Sequence, residues 1–144
     1  MSLQPVIIDT NVVVAGFPLD QERSPVVRIL DDMLDGSFPF VVSDALIAEY
    51  QDVLMRPRLR TLHGLTALEV EAIVADIARH AIVVAPAAGP AAPDPGDQLL
   101  WDLLATRTDC VLVTCDKLLL EDARMRGRVV SPQTFAAARA IPTV

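Results

Sequence analysis

The sequence predicts an α/β fold in which helices cover both faces of a parallel sheet. Strand-like runs alternate along the chain with segments of helical spacing, an order typical of parallel strands joined by helices. The runs are apolar throughout and rich in Val and Ile, as in strands buried on both faces. Hydrophobic residues make up 52% of the 144 residues and aromatic residues only 4%. We therefore expect one globular domain, spanning residues 1–144, with an aliphatic core.

The first two strands are predicted over residues 5–9 (PVIID), which end at an acid, and over residues 38–42. Between them, residues 22–35 carry apolar groups at helical spacing. Ser24 and Pro25 suit the N-cap and the first helical position of that helix.

Two further helices are predicted from their capping residues. Ser43 is expected to cap a helix over residues 44–55, which Pro57 would end. The sequence TALE at residues 66–69 is a capping-box pattern and opens a helix that reaches about His80.

The second half of the chain continues the alternation around a loop. Residues 86–96 hold four prolines and two glycines, a composition that excludes helix and strand. The elements predicted around this loop are a strand over 81–85, a helix over 97–108, a strand over 110–114, a short helix over 118–126, a strand over 128–130 and a helix from Ser131–Pro132 to about Arg139.

No apolar run approaches the roughly 20 residues of a membrane helix, and no basic-then-apolar leader opens the chain. We expect a cytoplasmic protein without a membrane partner. Cys110 and Cys115 flank one predicted strand, and we expect both to be buried thiols. His63 and His80 are expected to be surface residues.

The net charge of −7 argues against nucleic-acid binding, for which a basic face is the usual footprint. A divalent cation would partly neutralise acids gathered in one site. Basic residues also cluster, and Arg56, Arg58, Arg60 and Lys117 are candidate phosphate contacts. Ordinary solvated charges are an equally good interpretation of these four.

Four acids are predicted to meet at one edge of the sheet. Asp9 ends the first strand and Asp116 follows the fourth, and the carboxyl ends of parallel strands share an edge. Glu49 borders the apolar stripe of its helix, and Asp97 begins a helix near its inward face. Each acid alone fits an ordinary role in a loop, a cap or a helix edge. Together they concentrate negative charge that a cation would offset.

Mg²⁺ or Mn²⁺ is the ordinary solution to such a cluster, and metal-assisted phosphoryl transfer is the chemistry that uses it. The sequence contains no phosphate-binding glycine loop, and its histidines pair with no Ser or Cys in a triad pattern.

Four segments, in order, resemble the motifs of PIN domains: VIIDTNVVVAG, SDALIAEYQDVLMRPRL, DPGDQLLWDLLA and DCVLVTCDKLLL. The second resembles most the branch that contains the toxins of toxin–antitoxin pairs.

The resemblance implies a three-layer α/β/α fold around a parallel sheet of about five strands. It also implies a Mg²⁺- or Mn²⁺-dependent endoribonuclease that acts on RNA, with a second copy of the chain and an antitoxin protein as expected partners. Residues that match the family's catalytic and metal-binding quartet are Asp9, Glu49, Asp97 and Asp116. Asn11 and Thr114 match its supporting polar positions, and Asp94 is a further acid near the site.

Two alternatives remain open. A phosphatase of the haloacid dehalogenase type also has an Asp after its first strand but needs a second Asp two residues on, where this chain has Asn11. A non-catalytic interaction module with the same fold would suit the acidic charge, although the complete set of four acids argues against it.

Overall fold

The computed structural model describes residues 4–17 and 24–140. Its strands are β1 Val6–Ile8, β2 Val41–Val42, β3 Ile82–Val83, β4 Val111–Val113 and β5 Val129–Val130. Its helices are α1 Thr10–Ala15, α2 Pro25–Asp35, α3 Asp44–Leu54, α4 Pro57–His63, α5 Ala67–His80, α6 Gln98–Thr106, α7 Lys117–Glu121 and α8 Pro132–Ala140, with short 3₁₀ helices at Pro95–Asp97 and Ala123–Met125. Within these ranges, no helix has the length and apolar character needed to cross a bilayer.

All strand pairs are parallel, which confirms the predicted fold class. One sheet has the order β1-β4-β5, and β2 pairs with β3 in a second, two-stranded sheet. A single parallel bridge between Val6 and Phe40 joins the two sheets. The five strands therefore follow the order β3-β2-β1-β4-β5, with β1 in the middle.

The centre of the sheet is covered on both faces. Ile7 and Ile8 are adjacent and point to opposite faces of β1, yet both are 0% exposed. The expectation of buried strands is wrong for β3, where Ile82 is 38% and Val83 56% exposed. The difference arises because β3 lies at the edge of the strand order.

Two helices were not expected from the sequence. α1 is built from TNVVVA, whose β-branched residues have weak helix propensity, and burial of Val12 and Val13 stabilises it instead. α4 begins at Pro57, which ends α3 as predicted but then serves as the first residue of the next helix. Gly64 ends α4 in the left-handed conformation, at φ 69°.

Side-chain hydrogen bonds form at the predicted caps of α5 and α3, and not at the predicted cap of α2. The Thr66 hydroxyl accepts from Glu69 N at 3.1 Å while Thr66 N donates to Glu69 Oε1 at 3.0 Å, which completes the capping box. The Ser43 hydroxyl accepts from Leu46 N at 3.1 Å. Ser24 occupies the N-cap of α2, but its side chain forms no cap hydrogen bond within the described residues. Residues 22 and 23 of the predicted helix lie outside those residues.

The helix predicted over residues 118–126 is divided. Asp122 ends α7 with an extended backbone, at ψ 118°, and its carboxylate accepts from Arg124 N at 2.9 Å. This local hydrogen bond competes with helix continuation, so residues 123–125 form a separate 3₁₀ turn.

α6 is fixed at both ends. At its carboxyl end, the Arg128 guanidinium donates to the carbonyl oxygens of Leu104, Arg107 and Cys110 at 3.0–3.2 Å. At its amino end, the side chains of Asp102 and Gln98 accept from backbone N–H groups of the Pro-rich segment 86–96, at 2.8 and 2.9 Å.

The cysteine prediction is half correct. Cys110 is buried, and burial raises the pKa of its thiol to about 11. Cys115 is exposed, because it follows β4 at the sheet edge and not within the core.

Candidate functional site

The four predicted acids line one open cleft of about 400 Å³ at the carboxyl ends of β1 and β4. Asp9 and Asp116 follow these strands, as expected from parallel pairing. Glu49 comes from α3, and Asp97 from the turn that precedes α6. The remaining lining residues are Thr10, Asn11, Val14, Ala15 and Val53.

Asp9 is held by a network of side chains from the neighbouring strand ends. The Thr114 hydroxyl donates to Asp9 Oδ2 at 2.8 Å, and Asn11 Nδ2 lies 3.3 Å from the same oxygen. Asn11 is fixed in turn, because its Oδ1 accepts from Cys115 N at 3.1 Å. The Thr114 and Asn11 side chains therefore both act on one oxygen of the Asp9 carboxylate.

Thr114 is fully buried and connects two of the acids. Its hydroxyl oxygen accepts from Asp116 N at 3.0 Å and faces Asn11 Nδ2 at 3.3 Å, while its proton goes to Asp9. Asp116 also caps α7, since its Oδ1 accepts from Leu118 N at 2.9 Å. One oxygen of the Asp116 carboxylate therefore caps α7, and the other takes no part in the cap.

Glu49 reaches the cleft from α3, and Asp97 reaches it from the turn that begins α6. The residue after Glu49, Tyr50, is fully buried and donates its hydroxyl to the carbonyl oxygen of Ile8, which precedes Asp9. Asp97 occupies the N-cap position of α6, but within the described residues its side chain forms no cap hydrogen bond. The structure thus gives the Asp97 carboxylate no capping role.

Burial and mutual repulsion raise the pKa of three of these acids. Burial is the main cause of the raised pKa of Asp9, and the charges of Glu49 and Asp116 add to it against the Thr114 hydrogen bond. Burial also raises the pKa of Asp97, with contributions from Asp9, Asp94 and Asp116.

The pKa of Glu49 is raised as well. Burial raises its pKa and the charge of Asp97 adds to this, while Arg56 and the Thr10 hydroxyl oppose it. Thr10 is 5% exposed, and its hydroxyl lies close enough to the Glu49 carboxylate to lower the pKa of Glu49, without the geometry of a full hydrogen bond to any of residues 4–17 and 24–140. The cleft therefore holds a buried hydroxyl beside carboxylates that disfavour one another.

These oxygen ligands fit a hard divalent cation. Carboxylate and hydroxyl oxygens are the ligands that Mg²⁺ and Mn²⁺ prefer, usually one or two carboxylates together with several waters. In the described part of the chain, no three His, Cys, Asp or Glu side chains approach closely enough to hold an ion by themselves. A cation in this cleft would accordingly keep much of its water shell.

The predicted basic residues lie outside the cleft lining. Arg56 is 62% exposed and pairs with Asp52 at 3.7 Å. Arg58 and Arg60 are exposed on α4, and Lys117 is exposed at the start of α7. Asp94 is exposed as well, where its Oδ1 accepts from Gly96 N at 2.9 Å.

The two histidines differ in their surroundings. His80 is exposed, as predicted. His63 is half-buried, which corrects its placement on the surface, and its ring lies 5.7 Å from that of Phe17. The sequence patterns do not assign His63 or Thr10 to this region. Thr10 is the more predictable of the two, because it lies between Asp9 and Asn11 in the sequence.

Residues 5–118 match the family described as PIN domain, so the match covers well over half of the chain. No curated protein matches the chain at a significant level.

Proposed function

This chain belongs to the PIN-domain family, whose members are generally nucleases, and we propose that it is a Mg²⁺- or Mn²⁺-dependent endoribonuclease formed by one domain over residues 1–144. The observation that carries the proposal is the convergence of Asp9, Glu49, Asp97 and Asp116 on one cleft. Three of these acids have a raised pKa, as expected of carboxylates that a cation would compensate.

The four acids are proposed to hold the cation, directly or through its waters. When bound, the cation would supply an activated water and would offset negative charge on the phosphate in the transition state. Thr114 and Asn11 would keep Asp9 in one orientation, since their hydrogen bonds both act on its Oδ2.

RNA binding is proposed to use basic side chains that lie outside the lining of the acidic cleft. Arg56 is a candidate because its charge already lowers the pKa of Glu49. Arg58, Arg60 and Lys117 are exposed and are further candidates for phosphate contacts. These contacts would position the backbone of the RNA without reading its sequence.

The finer assignments rest on the resemblance of residues 43–59 to the toxin branch of the family. They are that the chain is the toxin of a toxin–antitoxin pair, that an antitoxin protein inhibits it, and that it forms homodimers. The cytoplasmic location is a separate prediction and does not depend on this resemblance. All of them stay predictions.

The phosphatase alternative loses support from Asn11. A second carboxylic acid is needed at that position, and here the Asn11 amide instead donates toward Asp9 and Thr114 at 3.3 Å. The interaction-module alternative is still favoured by one observation, the net charge of −7.

Cleavage of a mixed-sequence RNA with Mn²⁺ or with EDTA, by wild type and by Asp9→Asn, tests the proposal. Asp31→Asn is a matched control because Asp31 is an exposed acid of α2. We expect Mn²⁺-dependent cleavage that Asp9→Asn abolishes and Asp31→Asn leaves intact. Absence of both cleavage and Mn²⁺ binding in the wild type would support the interaction module instead.

A further inference from the structure

One face of α6 carries three polar side chains at intervals of four residues, and we call them the α6 stripe: Gln98, Asp102 and Thr106. Each of them accepts a hydrogen bond from a backbone N–H of the Pro-rich segment 86–96. The three bonds join Gln98 Oε1 to Ala92 N at 2.9 Å, Asp102 Oδ1 to Gly89 N at 2.8 Å and Thr106 Oγ1 to Ala87 N at 3.1 Å. The segment therefore runs along α6 in the direction opposite to the helix.

The Pro-rich segment depends on the α6 stripe because its backbone has few other partners. Within the described residues, no backbone–backbone hydrogen bond involves residues 86–93. Gln98 Nε2 adds a fourth bond from the stripe, to the carbonyl oxygen of Pro90 at 3.0 Å. Gly89 lies so close to the helix that an added Cβ would be 3.0 Å from the carbonyl oxygen of Trp101. The segment is thus held directly against α6.

Asp102 is the central member of the α6 stripe. Its Oδ1 accepts from Gly89 N and also from Gln98 Nε2, at 2.8 and 2.9 Å. These hydrogen bonds from Gly89 and Gln98 lower the pKa of Asp102, so its carboxylate is charged at neutral pH. Because hydrogen bonds to a charged acceptor are stronger than those to a neutral one, Asp102 is the strongest single contact between the helix and the segment.

Asp97 lies between the Pro-rich segment and the α6 stripe. Its side chain forms no cap hydrogen bond within the described residues, so the direction of its carboxylate depends on the backbone that carries it. That backbone is a turn in which Asp97 N donates to the carbonyl oxygen of Asp94 at 2.9 Å. The hydrogen bond from Ala92 N to Gln98 Oε1 closes the chain around this turn. Release of the segment would therefore loosen the turn that carries Asp97.

We propose that the α6 stripe is a positioning device for the Asp97 carboxylate, which it keeps at the cleft by holding the Pro-rich segment and the turn before α6 in place. The inference rests on the proposed function and adds Gln98 and Asp102 to it as positioning residues. Neither of them lines the cleft. Burial and three other acids raise the pKa of Asp97, and Asp102 is not one of these acids. Asp102 is therefore connected with Asp97 through the chain and not through its charge.

The test is calorimetric titration of each folded protein with Mn²⁺ in the absence of RNA. Asp102→Ala removes the central member of the stripe, whereas Asp102→Asn keeps an Oδ1 that accepts from the same two donors. Gln98→Ala removes the member next to Asp97 and keeps the inference testable if Asp102→Ala does not fold. Asp31→Ala is the matched control, because Asp31 is an exposed acid of α2. Thermal unfolding in EDTA checks that each protein is folded.

We expect Asp102→Ala and Gln98→Ala to weaken Mn²⁺ binding about 10-fold, at the lower end of the effect of residues that orient metal ligands. Asp102→Asn should bind Mn²⁺ like the wild type, because its side-chain oxygen still holds Gly89 and Gln98. Asp31→Ala should also bind like the wild type. Rescue by Asp102→Asn would show that the hydrogen bonds of Asp102, and not its charge, act on the cleft.

Two results would overturn the inference while the nuclease stands. Unchanged Mn²⁺ affinity in folded Asp102→Ala and Gln98→Ala, even with a lower unfolding temperature, would mean that the stripe serves stability alone. An equal loss of affinity in Asp102→Asn would mean that the charge of Asp102 acts and not its hydrogen bonds.

RNA cleavage by the wild type decides the proposed function separately. If the wild type binds Mn²⁺ but cleaves no RNA, the nuclease is refuted, and weaker Mn²⁺ binding by Asp102→Ala would still support the positioning role. A wild type that binds no Mn²⁺ would overturn both.

Discussion

The hydroxyl of Thr114 donates to Asp9 Oδ2 at 2.8 Å, across the carboxyl ends of two adjacent parallel strands. The Thr114 hydroxyl oxygen also accepts from the backbone N–H of Asp116 at 3.0 Å. A single buried hydroxyl thus fixes the orientation of one acid and the backbone position of another. The register of β1 against β4, in which Ile8 pairs with Val113, brings these residues together.

Replacement of Thr114 by Val tests this relationship. Val keeps the shape but removes the hydroxyl, which leaves Asp9 less well oriented. We expect cleavage to fall about 10- to 100-fold, as for other residues that orient metal ligands, and the unfolding free energy to fall by about 1–3 kcal/mol. Exposed Thr108 provides the control, and Thr108→Val should change neither value. Full activity in Thr114→Val would show that Asp9 needs no such support.

Divalent cations are expected to stabilise the wild type. An ion that binds only the folded state at ten to a hundred times its Kd adds about 1–3 kcal/mol to the unfolding free energy. Thermal unfolding with Mg²⁺, with Mn²⁺ and with EDTA measures this. Asp9→Asn and Asp116→Asn should lose the shift, whereas Asp31→Asn should keep it. An equal shift in all variants would place the ion elsewhere.

Stability without metal should depend on pH in a defined direction. Because the folded state raises the pKa of Asp9 above 3.8, the stabilisation that protonation provides is complete below that value and is lost as the pH rises through the folded pKa. The unfolding free energy of wild type minus that of Asp9→Asn should therefore decrease with rising pH in EDTA. Urea unfolding at several values between pH 4 and 8 measures the difference, and a constant difference would contradict the raised pKa.

The capping box of α5 should matter for stability and not for activity. Thr66→Ala removes the hydroxyl that accepts from Glu69 N, which should lower the unfolding free energy by about 1 kcal/mol. Urea unfolding and RNA cleavage measured on the same preparation distinguish the two effects, with Thr108→Ala as the control. A loss of specific activity in folded Thr66→Ala would mean that α5 influences the cleft.

The fold was predictable where periodicity and capping residues agreed. α2, α3 and α5 combine an apolar stripe with a start signal, and the structure contains all three. α1 was missed because its valines have the local preference of a strand. Only tertiary burial of Val12 and Val13 makes it a helix.

The acidic cluster was predictable for a different reason. The positions of Asp9 and Asp116 follow from strand order alone, because parallel strands end at the same edge. That the Asp97 side chain does not cap α6 could not be predicted from the sequence, since it depends on the 3₁₀ turn at Pro95–Asp97. The exposure of Cys115 likewise depends on where β4 ends.

The hydrogen bond from Tyr50 to the carbonyl oxygen of Ile8 has a mechanical consequence. Glu49 precedes Tyr50 and Asp9 follows Ile8, so this hydrogen bond connects the two backbone segments that carry the repelling carboxylates. Moving the two carboxylates apart through the backbone would therefore break a buried hydrogen bond, which opposes the relief of their repulsion.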